Sequence, residues 1–342
     1  NPYRLAEDIA GVGFKTADSI AEAMGIPKDS QVRIKSGIKY ILNTDVAEGN
    51  VFMPAEKLVN KAEELLGADR ETAEHCLREL QIEHKIYREN LDGIEAVYLM
   101  PMYYTEIAAA KKLLELSFFH EETDLKKVNE KIAIAEDRTG VYLADQQREA
   151  VVEAMREGVL VITGGPGTGK TTIINNIISL YESMDLEVVL AAPTGRAAKR
   201  MTEATGMEAK TIHRLLGVSY SEDDSARQKF EKNEDDPIAA DVVIIDEVSM
   251  VDMQLFNGLL KAIEPGTRLI LVGDANQLPS VAAGNVLKDI IKSEKIKVVR
   301  LTQIFRQAQE SAIIMNAHRI NDGIEPVMNE KGTDFFFVNE PY

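Results

Sequence analysis

Short apolar runs rich in β-branched residues alternate with longer helix-forming stretches in the second half of the chain. The runs lie at 159–163, 188–192, 242–245, 269–272 and 298–301. Strands that are apolar on both faces are typical of a parallel sheet covered by helices. The pattern therefore predicts a doubly wound α/β domain at residues 140–342.

The first 139 residues have a mainly helical pattern. Residues 1–50 predict helices around a break at Gly11–Gly13, and residues 51–101 predict two helices followed by a two-stranded hairpin. Helix, helix, hairpin is the order of a winged helix, although many other small domains share it. Residues 102–139 predict charged, amphipathic helices that link these parts to the sheet domain.

One segment, residues 219–237, departs from the alternation of strands and helices. It is polar, mostly acidic and too long for a plain connection. We therefore expect an insertion that projects from the sheet domain.

Composition narrows the class of protein. The 342 residues are 45% hydrophobic and 28% charged, which is typical of a globular protein with two or three domains. The net charge of −17 argues against a histone-like binder, although a motor can grip DNA through local contacts. Cys76 is the single cysteine, so we expect a buried thiol and a cytoplasmic location. The sequence contains no run of eighteen apolar residues, so we predict no transmembrane span.

A glycine-rich string follows the first strand of the sheet domain and matches the phosphate-loop pattern at every fixed position. Such a loop turns N–H groups toward phosphate oxygens, while a lysine and a hydroxyl reach the outer phosphates and Mg²⁺. We predict an ATP–Mg²⁺ site in which Lys170 binds phosphate and Thr171 binds the metal. The predicted nucleotide-binding residues of the string are Gly164, Gly165, Pro166, Gly167, Thr168, Gly169, Lys170, Thr171 and Thr172.

Two adjacent carboxylates, Asp246 and Glu247, end the third apolar run. The carboxyl ends of parallel strands face the ligand crevice of such a sheet. Asp246 is the predicted Mg²⁺ ligand, and Glu247 is the predicted general base that polarises the attacking water. An acidic pair that only caps the next helix is the alternative.

Further strings follow the second, fourth and fifth runs: Pro193-Thr194-Gly195-Arg196, Gly273-Asp274-Ala275-Asn276-Gln277 and Ile304-Phe305-Arg306-Gln307. With the phosphate loop and the acidic pair, they resemble the ordered motifs of superfamily 1 helicases. Their amino-acid sequences are most similar to the motifs of the RecD-like, 5′–3′ type. The resemblance covers residues 142–342 and implies a RecA-like ATPase lobe.

The resemblance implies a role for single residues. Gln147 resembles the glutamine that reads adenine, with Gln146 as the neighbouring alternative. Gln277 resembles the sensor of the γ-phosphate. Arg306 resembles the arginine that stabilises charge on the transferred phosphate, and a surface arginine is the ordinary alternative.

Contacts to DNA are implied in three regions. The residues that resemble single-strand contacts are Pro193, Thr194, Arg196, Thr211 and His213, although His213 is equally well explained as a packing histidine. The amino-terminal break has helix–hairpin–helix spacing, in which Gly11 and Gly13 let N–H groups approach a phosphate and Lys15 adds charge. A purely structural turn is the alternative there. Residues 219–237 lie where related enzymes carry a strand-separating pin, and an acidic loop is an equally good interpretation.

The resemblance implies an ATP-dependent helicase that acts on single-stranded and forked DNA in repair or recombination, with subunits of a recombination or exonuclease complex as possible partners. Such motors hold ATP between two RecA-like lobes, and no string here resembles a second lobe. We interpret the chain as a fragment and expect weak nucleotide binding, little hydrolysis and no unwinding from it alone. A non-motor DNA adaptor and a P-loop kinase or metabolic ATPase are the rival interpretations.

Overall fold

The computed structural model describes most of the chain. The described residues are 2–5, 9, 12–118, 124–219, 229–305, 309–328, 334–336 and 338. Among them, no helix combines the length and the apolar content that crossing a membrane requires.

The amino-terminal part is mainly helical and packs around one apolar core. Its helices are α1 (Phe14–Ala23), α2 (Gln31–Ala47), α3 (Ala55–Leu66) and α4 (Arg70–Ile82). Its antiparallel sheet has the order β1-β3-β2, with β1 at Met53–Pro54, β2 at Ile86–Leu91 and β3 at Ile94–Leu99. The side chain of Asp69 accepts a hydrogen bond from the N–H of Thr72 at 2.9 Å, which fixes the start of α4.

Two helices lead from this part to the sheet domain. They are α5 (Met100–Phe118), which begins directly after β3, and α6 (Leu125–Thr139). Leu113 and Leu116 of α5 are buried in the core of the sheet domain. Val128 and Ile132 of α6 are buried in a second core of the same domain.

A six-stranded parallel sheet forms the second half, in the order β11-β4-β10-β9-β5-β6. Its strands are β4 (Val159–Gly164), β5 (Val188–Ala192), β6 (Ala209–Thr211), β9 (Val242–Ile245), β10 (Arg268–Gly273) and β11 (Lys297–Leu301). All five predicted runs are strands, and the α/β fold class is confirmed. The edge strand β6 was not predicted, because its Ala-Lys-Thr sequence contains no apolar run.

Helices cover both faces of this sheet. They are α7 (Asp145–Arg156), α8 (Lys170–Glu182), α9 (Gly195–Thr205), α10 (Ile212–Leu216), α11 (Met253–Lys261) and α12 (Val286–Ser293); a further helix, α13 (Ala312–Asn321), follows β11 along the chain. Successive strand residues point to opposite faces, so Val161 lies in one apolar core while Leu160 and Ile162 lie in the other. Both faces of the sheet are therefore shielded from water, which explains why the strand sequences carry apolar residues at successive positions.

The predicted insertion begins at a short antiparallel pair of strands. β7 (Val218–Ser219) pairs with β8 (Lys229–Phe230), and residues 220–228 lie outside the described residues. The N–H of Lys232 then donates to the carbonyl oxygen of Leu216 at 2.9 Å, which returns the chain to the domain. The choice between a pin and an acidic loop stays open, and the domain boundaries stay predictions.

Candidate functional site

The glycine-rich loop connects the end of β4 to the start of α8. Gly167 and Gly169 have φ angles of 77° and 82°. These angles lie in the left-handed region, which glycine adopts without the steric cost of a Cβ atom. Gly169 also stands at the amino end of α8, where the unpaired N–H groups of the helix gather.

The carbonyl oxygens of the loop are turned toward donors that surround it. The ammonium of Lys170 donates to Gly164 O at 2.6 Å and to Gly165 O at 3.1 Å. The carbonyl oxygens of the next three residues accept as follows: Pro166 from His318 Nε2 at 3.0 Å, Gly167 from the N–H of Phe305 at 3.2 Å, and Thr168 from Gln147 Nε2 at 3.4 Å.

This arrangement decides where the N–H groups of the loop point. In a trans peptide the carbonyl and the following N–H face opposite ways, and the described residues contain no cis bond. Among the described residues, the N–H groups of Gly167 and Gly169 have no acceptor, whereas Gly165 follows the last residue of β4 that pairs with β11. N–H groups gathered at a helix amino end form a concave site that attracts an anion such as phosphate.

Two of the glycines are also required by packing. A Cβ atom on Gly164 would lie 2.8 Å from the Cβ of Leu301, and one on Gly165 would lie 2.5 Å from Cε1 of His318. Both distances are shorter than van der Waals contact, so a side chain at Gly164 would displace β11, and one at Gly165 would displace the imidazole ring of His318.

The acidic pair stands at the same edge of the sheet as the loop. β4 and β9 both pair with β10, and their carboxyl ends point the same way. Asp246 accepts a hydrogen bond from the N–H of Glu247 at 2.9 Å. The carboxylate oxygen Oε2 of Glu247 is buried without a hydrogen-bond partner.

Burial and charge shift the titration of both acids. Burial raises the pKa of Asp246, while the N–H of Glu247 and the charges of Lys170 and Arg200 oppose that rise. Burial and then the negative charge of Asp246 raise the pKa of Glu247, and the same two cations oppose it. Lys170 therefore acts electrostatically on both carboxylates, as a shared site requires.

A cavity of about 600 Å³ adjoins the outer side of the loop. Gln277 lines it together with Gly165 and Pro166, and the buried side chain of Asp274 lines it as well. The hydroxyl oxygen of Thr163 accepts a hydrogen bond from the N–H of Ala275 at 3.2 Å. This bond ties the Gln277 segment to the strand that carries the loop.

Both glutamines of α7 form hydrogen bonds with other residues of the chain. Gln147 Oε1 accepts from the N–H of Ala144 at 3.1 Å, and its Nε2 reaches Thr168. Gln146 exchanges hydrogen bonds with Thr302, at 2.8 Å to its N–H and 2.9 Å to its hydroxyl. In this structure Gln147 supports the loop, and its predicted reading of adenine stays a prediction.

The predicted single-strand contacts gather at one corner of the sheet. Pro193–Arg196 follow β5, Thr211 pairs with Ala192 at the end of β6, and His213 is the second residue of α10, which follows directly. The hydroxyl oxygen of Thr194 accepts from the N–H of Ala197 at 3.2 Å, which caps α9. Thr211 caps α10 in the same way, and Arg196 is exposed.

The amino-terminal candidates are partly described. Gly13 stands at the start of α1, no atom lies within 4 Å of a Cβ built on it, and Lys15 is exposed. Gly11 and Arg306 lie outside the described residues, so their predicted roles stay predictions.

Two residues around the loop were missed by the sequence analysis. Phe305 lies in the string that also contains Arg306, and no role was predicted for it, yet its N–H donates a hydrogen bond to the loop. His318 lies on α13 within an ordinary amphipathic pattern, and nothing in its neighbourhood signals a contact 152 positions away.

The residues present fit a magnesium ion beside a nucleotide. Thr171 is exposed at the amino end of α8, and Asp246 and the orphaned Glu247 oxygen face the same edge of the sheet. Mg²⁺ is usually held by one or two carboxylates together with substrate phosphates and water. A protein cage of three or more ligands is not needed, and the described residues contain none.

Known families match both halves of the chain. A family described as "AAA domain" matches residues 147–283, and one described as "ATP-dependent RecD2 DNA helicase HHH domain" matches residues 1–52. The second match agrees with the helix–hairpin–helix resemblance of the amino-terminal region.

Individual relatives extend these matches. The ATP-dependent RecD2 DNA helicase of Deinococcus radiodurans is 34% identical over 337 residues, or 95% of this chain and 45% of that protein. The RecBCD enzyme subunit RecD of Mycobacterium tuberculosis is 37% identical over 206 residues, or 52% of this chain and 35% of that protein. The chain thus spans less than half the length of either relative.

A solved structure, the Pif1 helicase from Candida albicans, is 26% identical over 54% of this chain and 45% of that chain, with a TM-score of 0.39. The parallel sheet covered by helices, the glycine-rich loop and the family matches define a RecA-like α/β fold of the helicase class. Within that class, the chain belongs to the RecD-like helicases, and the resemblance found in its motifs is confirmed.

Proposed function

We propose that this chain binds ATP with Mg²⁺ at the glycine-rich loop. In a protein that contains the chain, hydrolysis of this ATP drives movement 5′ to 3′ along single-stranded DNA and separates strands at forks. The observation that carries the proposal is the outward turn of the Pro166 and Thr168 carbonyls, which directs the N–H groups of Gly167 and Gly169 inward, with the Lys170 ammonium acting on Asp246 and Glu247.

Each group has a task in phosphoryl transfer. The N–H groups of Gly167 and Gly169 bind phosphate oxygens, and Lys170 moves from the loop carbonyls to the β- and γ-phosphates. Mg²⁺, when bound, neutralises phosphate charge, and Thr171 and Asp246 would hold it. The pKa of Glu247, raised by burial, favours a carboxylate that accepts a proton from water.

Two further side chains complete the proposed site. Gln277, which shares a cavity with the loop, senses the γ-phosphate. Arg306 stabilises the negative charge that develops on the transferred group, as arginines do in related chemistry. Gln147 or Gln146 reads the adenine.

The DNA surface is proposed at the corner where β5 and β6 end. Pro193, Thr194, Arg196, Thr211 and His213 contact the sugar–phosphate backbone there, and backbone contacts grip DNA without selecting sequence. Gly11, Gly13 and Lys15 add a second, phosphate-directed contact. The mycobacterial relative is a subunit of a RecBCD enzyme, so we include subunits of a recombination complex among the candidate partners.

ATP hydrolysis, measured with and without oligothymidylate, tests the proposal. We expect single-stranded DNA to raise the rate several-fold in a longer protein that contains this chain, and Lys170→Ala to abolish it without lowering the melting temperature. DNA binding of normal affinity with no stimulated hydrolysis would favour the non-motor adaptor. Hydrolysis stimulated by a small-molecule acceptor and not by DNA would favour a kinase or metabolic ATPase.

A further inference from the structure

His318 on α13 contacts the phosphate loop, although it belongs to none of the strings that resemble helicase motifs. Its Nε2 atom lies 3.0 Å from the carbonyl oxygen of Pro166. A carbonyl oxygen only accepts hydrogen bonds, so this nitrogen carries the hydrogen. The same ring fills the space beside Gly165, where a Cβ atom would lie 2.5 Å from Cε1.

The bonded carbonyl belongs to the peptide that joins Pro166 to Gly167. Holding the carbonyl outward turns the N–H of Gly167 to the opposite side of that trans peptide. Glycine populates positive and negative φ about equally, so Gly167, with φ at 77°, imposes little restraint of its own. Without an outside partner this peptide is free to flip and to point its carbonyl dipole at a bound phosphate.

The helix that carries His318 is itself anchored. Asn316 is 1% exposed and exchanges two hydrogen bonds with the backbone of Val327, at 2.7 and 2.8 Å. At the start of α13, the hydroxyl of Ser311 donates to Asp334 at 2.6 Å. The imidazole therefore reaches the loop from a helix that is held at its start and at its middle.

We propose that His318 is a positioning residue for nucleotide binding, which holds the Pro166 carbonyl outward so that the Gly167 N–H stays directed at the phosphates. The inference rests on the proposed ATP site. It also gives Gly165 a second role, because the absent side chain makes room for the imidazole. Movement of α13 is then transmitted directly to the loop.

Equilibrium binding of a fluorescent ADP analogue and of ATP–Mg²⁺ to this chain tests the inference. Loss of one hydrogen bond predicts a dissociation constant about fivefold higher for His318→Ala. His318→Gln retains an N–H that can reach the same carbonyl, and we expect it to restore affinity to within about twofold. Ile320→Ala, at an exposed position of the same helix, is the matched control and leaves affinity unchanged.

A double-mutant cycle isolates the contact between the two residues. Gly165→Ala places a methyl group where the imidazole lies, so we expect it to weaken binding when His318 is present. In the His318→Ala background the space is empty, and the added methyl group should cost much less. Equal losses in both backgrounds would show that the contact carries none of the effect, which overturns the inference.

The outcomes separate this inference from the proposed function. Binding that Lys170→Ala abolishes and His318→Ala leaves intact overturns the role of His318 alone. Binding that falls equally in the Ala and Gln variants, with lower melting temperatures in both, shows a structural role and also overturns it. A wild-type chain that binds no nucleotide overturns both proposals.

Discussion

Glu247 donates its backbone N–H to the carboxylate of Asp246 at 2.9 Å while its own backbone lies in the left-handed region, with φ at 55°. A side chain in that region costs roughly 1–2 kcal/mol relative to the right-handed helix. The strain aims the Glu247 carboxylate away from the strand direction, and its buried oxygen remains without a partner. Stability is given up at the position where the proposed chemistry needs a base.

Replacing Glu247 with glycine should therefore stabilise the fold while removing the proposed base. We expect the free energy of unfolding to rise by about 1 kcal/mol, because glycine adopts positive φ without a Cβ clash. Chemical denaturation measures the change. Glu294→Gly is the matched control, since its φ is 54° on an exposed turn, and it should stabilise equally without affecting ATP hydrolysis. A lower unfolding free energy for Glu247→Gly would contradict the strain argument.

The raised pKa values of Asp246 and Glu247 predict a particular pH dependence of stability. Between the unfolded value of about 4 and the higher folded value, the folded state binds more protons than the unfolded state. Stability contributed by these acids is thus present at low pH and is lost as pH rises through that window. The double variant Asp246→Asn, Glu247→Gln should lose this downward slope in unfolding experiments without nucleotide. An unchanged slope would refute the electrostatic account of the site.

Replacing Gly284 tests how closely the chain packs where the sheet domain meets the amino-terminal part. Its φ is 115°, its N–H donates to Gly49 O at 3.1 Å, and a Cβ atom would lie 2.9 Å from the Cβ of Met253. Gly284→Ala should cost about 3 kcal/mol, from strain and overpacking together. Gly266 has φ at 103° with no atom near its missing Cβ, so Gly266→Ala should cost only about 1 kcal/mol. Equal costs, read from thermal or chemical unfolding, would exclude the packing contribution.

Asp18 and Arg33 form a partly buried ion pair, 2.8 Å apart, that joins α1 to α2. Burial raises the pKa of Asp18, but the hydrogen bonds of Arg33 and Tyr3 and nearby positive charges outweigh it and hold the pKa below its usual range. The resulting stability is present above the unfolded value of about 3.9 and is lost as pH falls.

Arg33→Ala should lower the unfolding free energy at neutral pH by about 2 kcal/mol. The difference between variant and wild type should shrink on acidification, as Asp18 becomes protonated. Arg70→Ala, which removes an exposed pair with Glu74, should change stability by less than about 0.5 kcal/mol. A loss that stays constant down to low pH would show that the carboxylate does not carry the effect.

Local patterns accounted for much of the fold. The run at 242–245 predicts a buried strand because four consecutive apolar β-branched residues suit both faces of a covered sheet, and it coincides with β9. Likewise, the string from Gly164 to Thr172 predicts a phosphate loop because glycines and a lysine at this spacing meet one chemical need. β6 was missed, since its pairing with β5 and not its composition makes it a strand.

Functional residues divide in the same way. Lys170 was predicted from its place in the glycine-rich string, and Asp246 and Glu247 were predicted because charge at a strand end is visible in sequence. The support that Gln147 gives to Thr168 depends on how α7 packs, and an adenine contact was the only role that the motif offered. Thr194 and Thr211 cap helices α9 and α10. Capping depends only on neighbouring residues, but the sequence analysis predicted only DNA contacts for these two residues.

The sequence alone determined the fold class and the RecD-like family and predicted a phosphate loop with its acids, because each is encoded by neighbouring residues. Tertiary structure decided the strand order, the orientation of the loop peptides and the arrival of His318 at Pro166. Those features depend on hydrogen bonds and packing between segments far apart in the chain. Such contacts exist only after the sheet has assembled, so no short stretch of sequence predicts them.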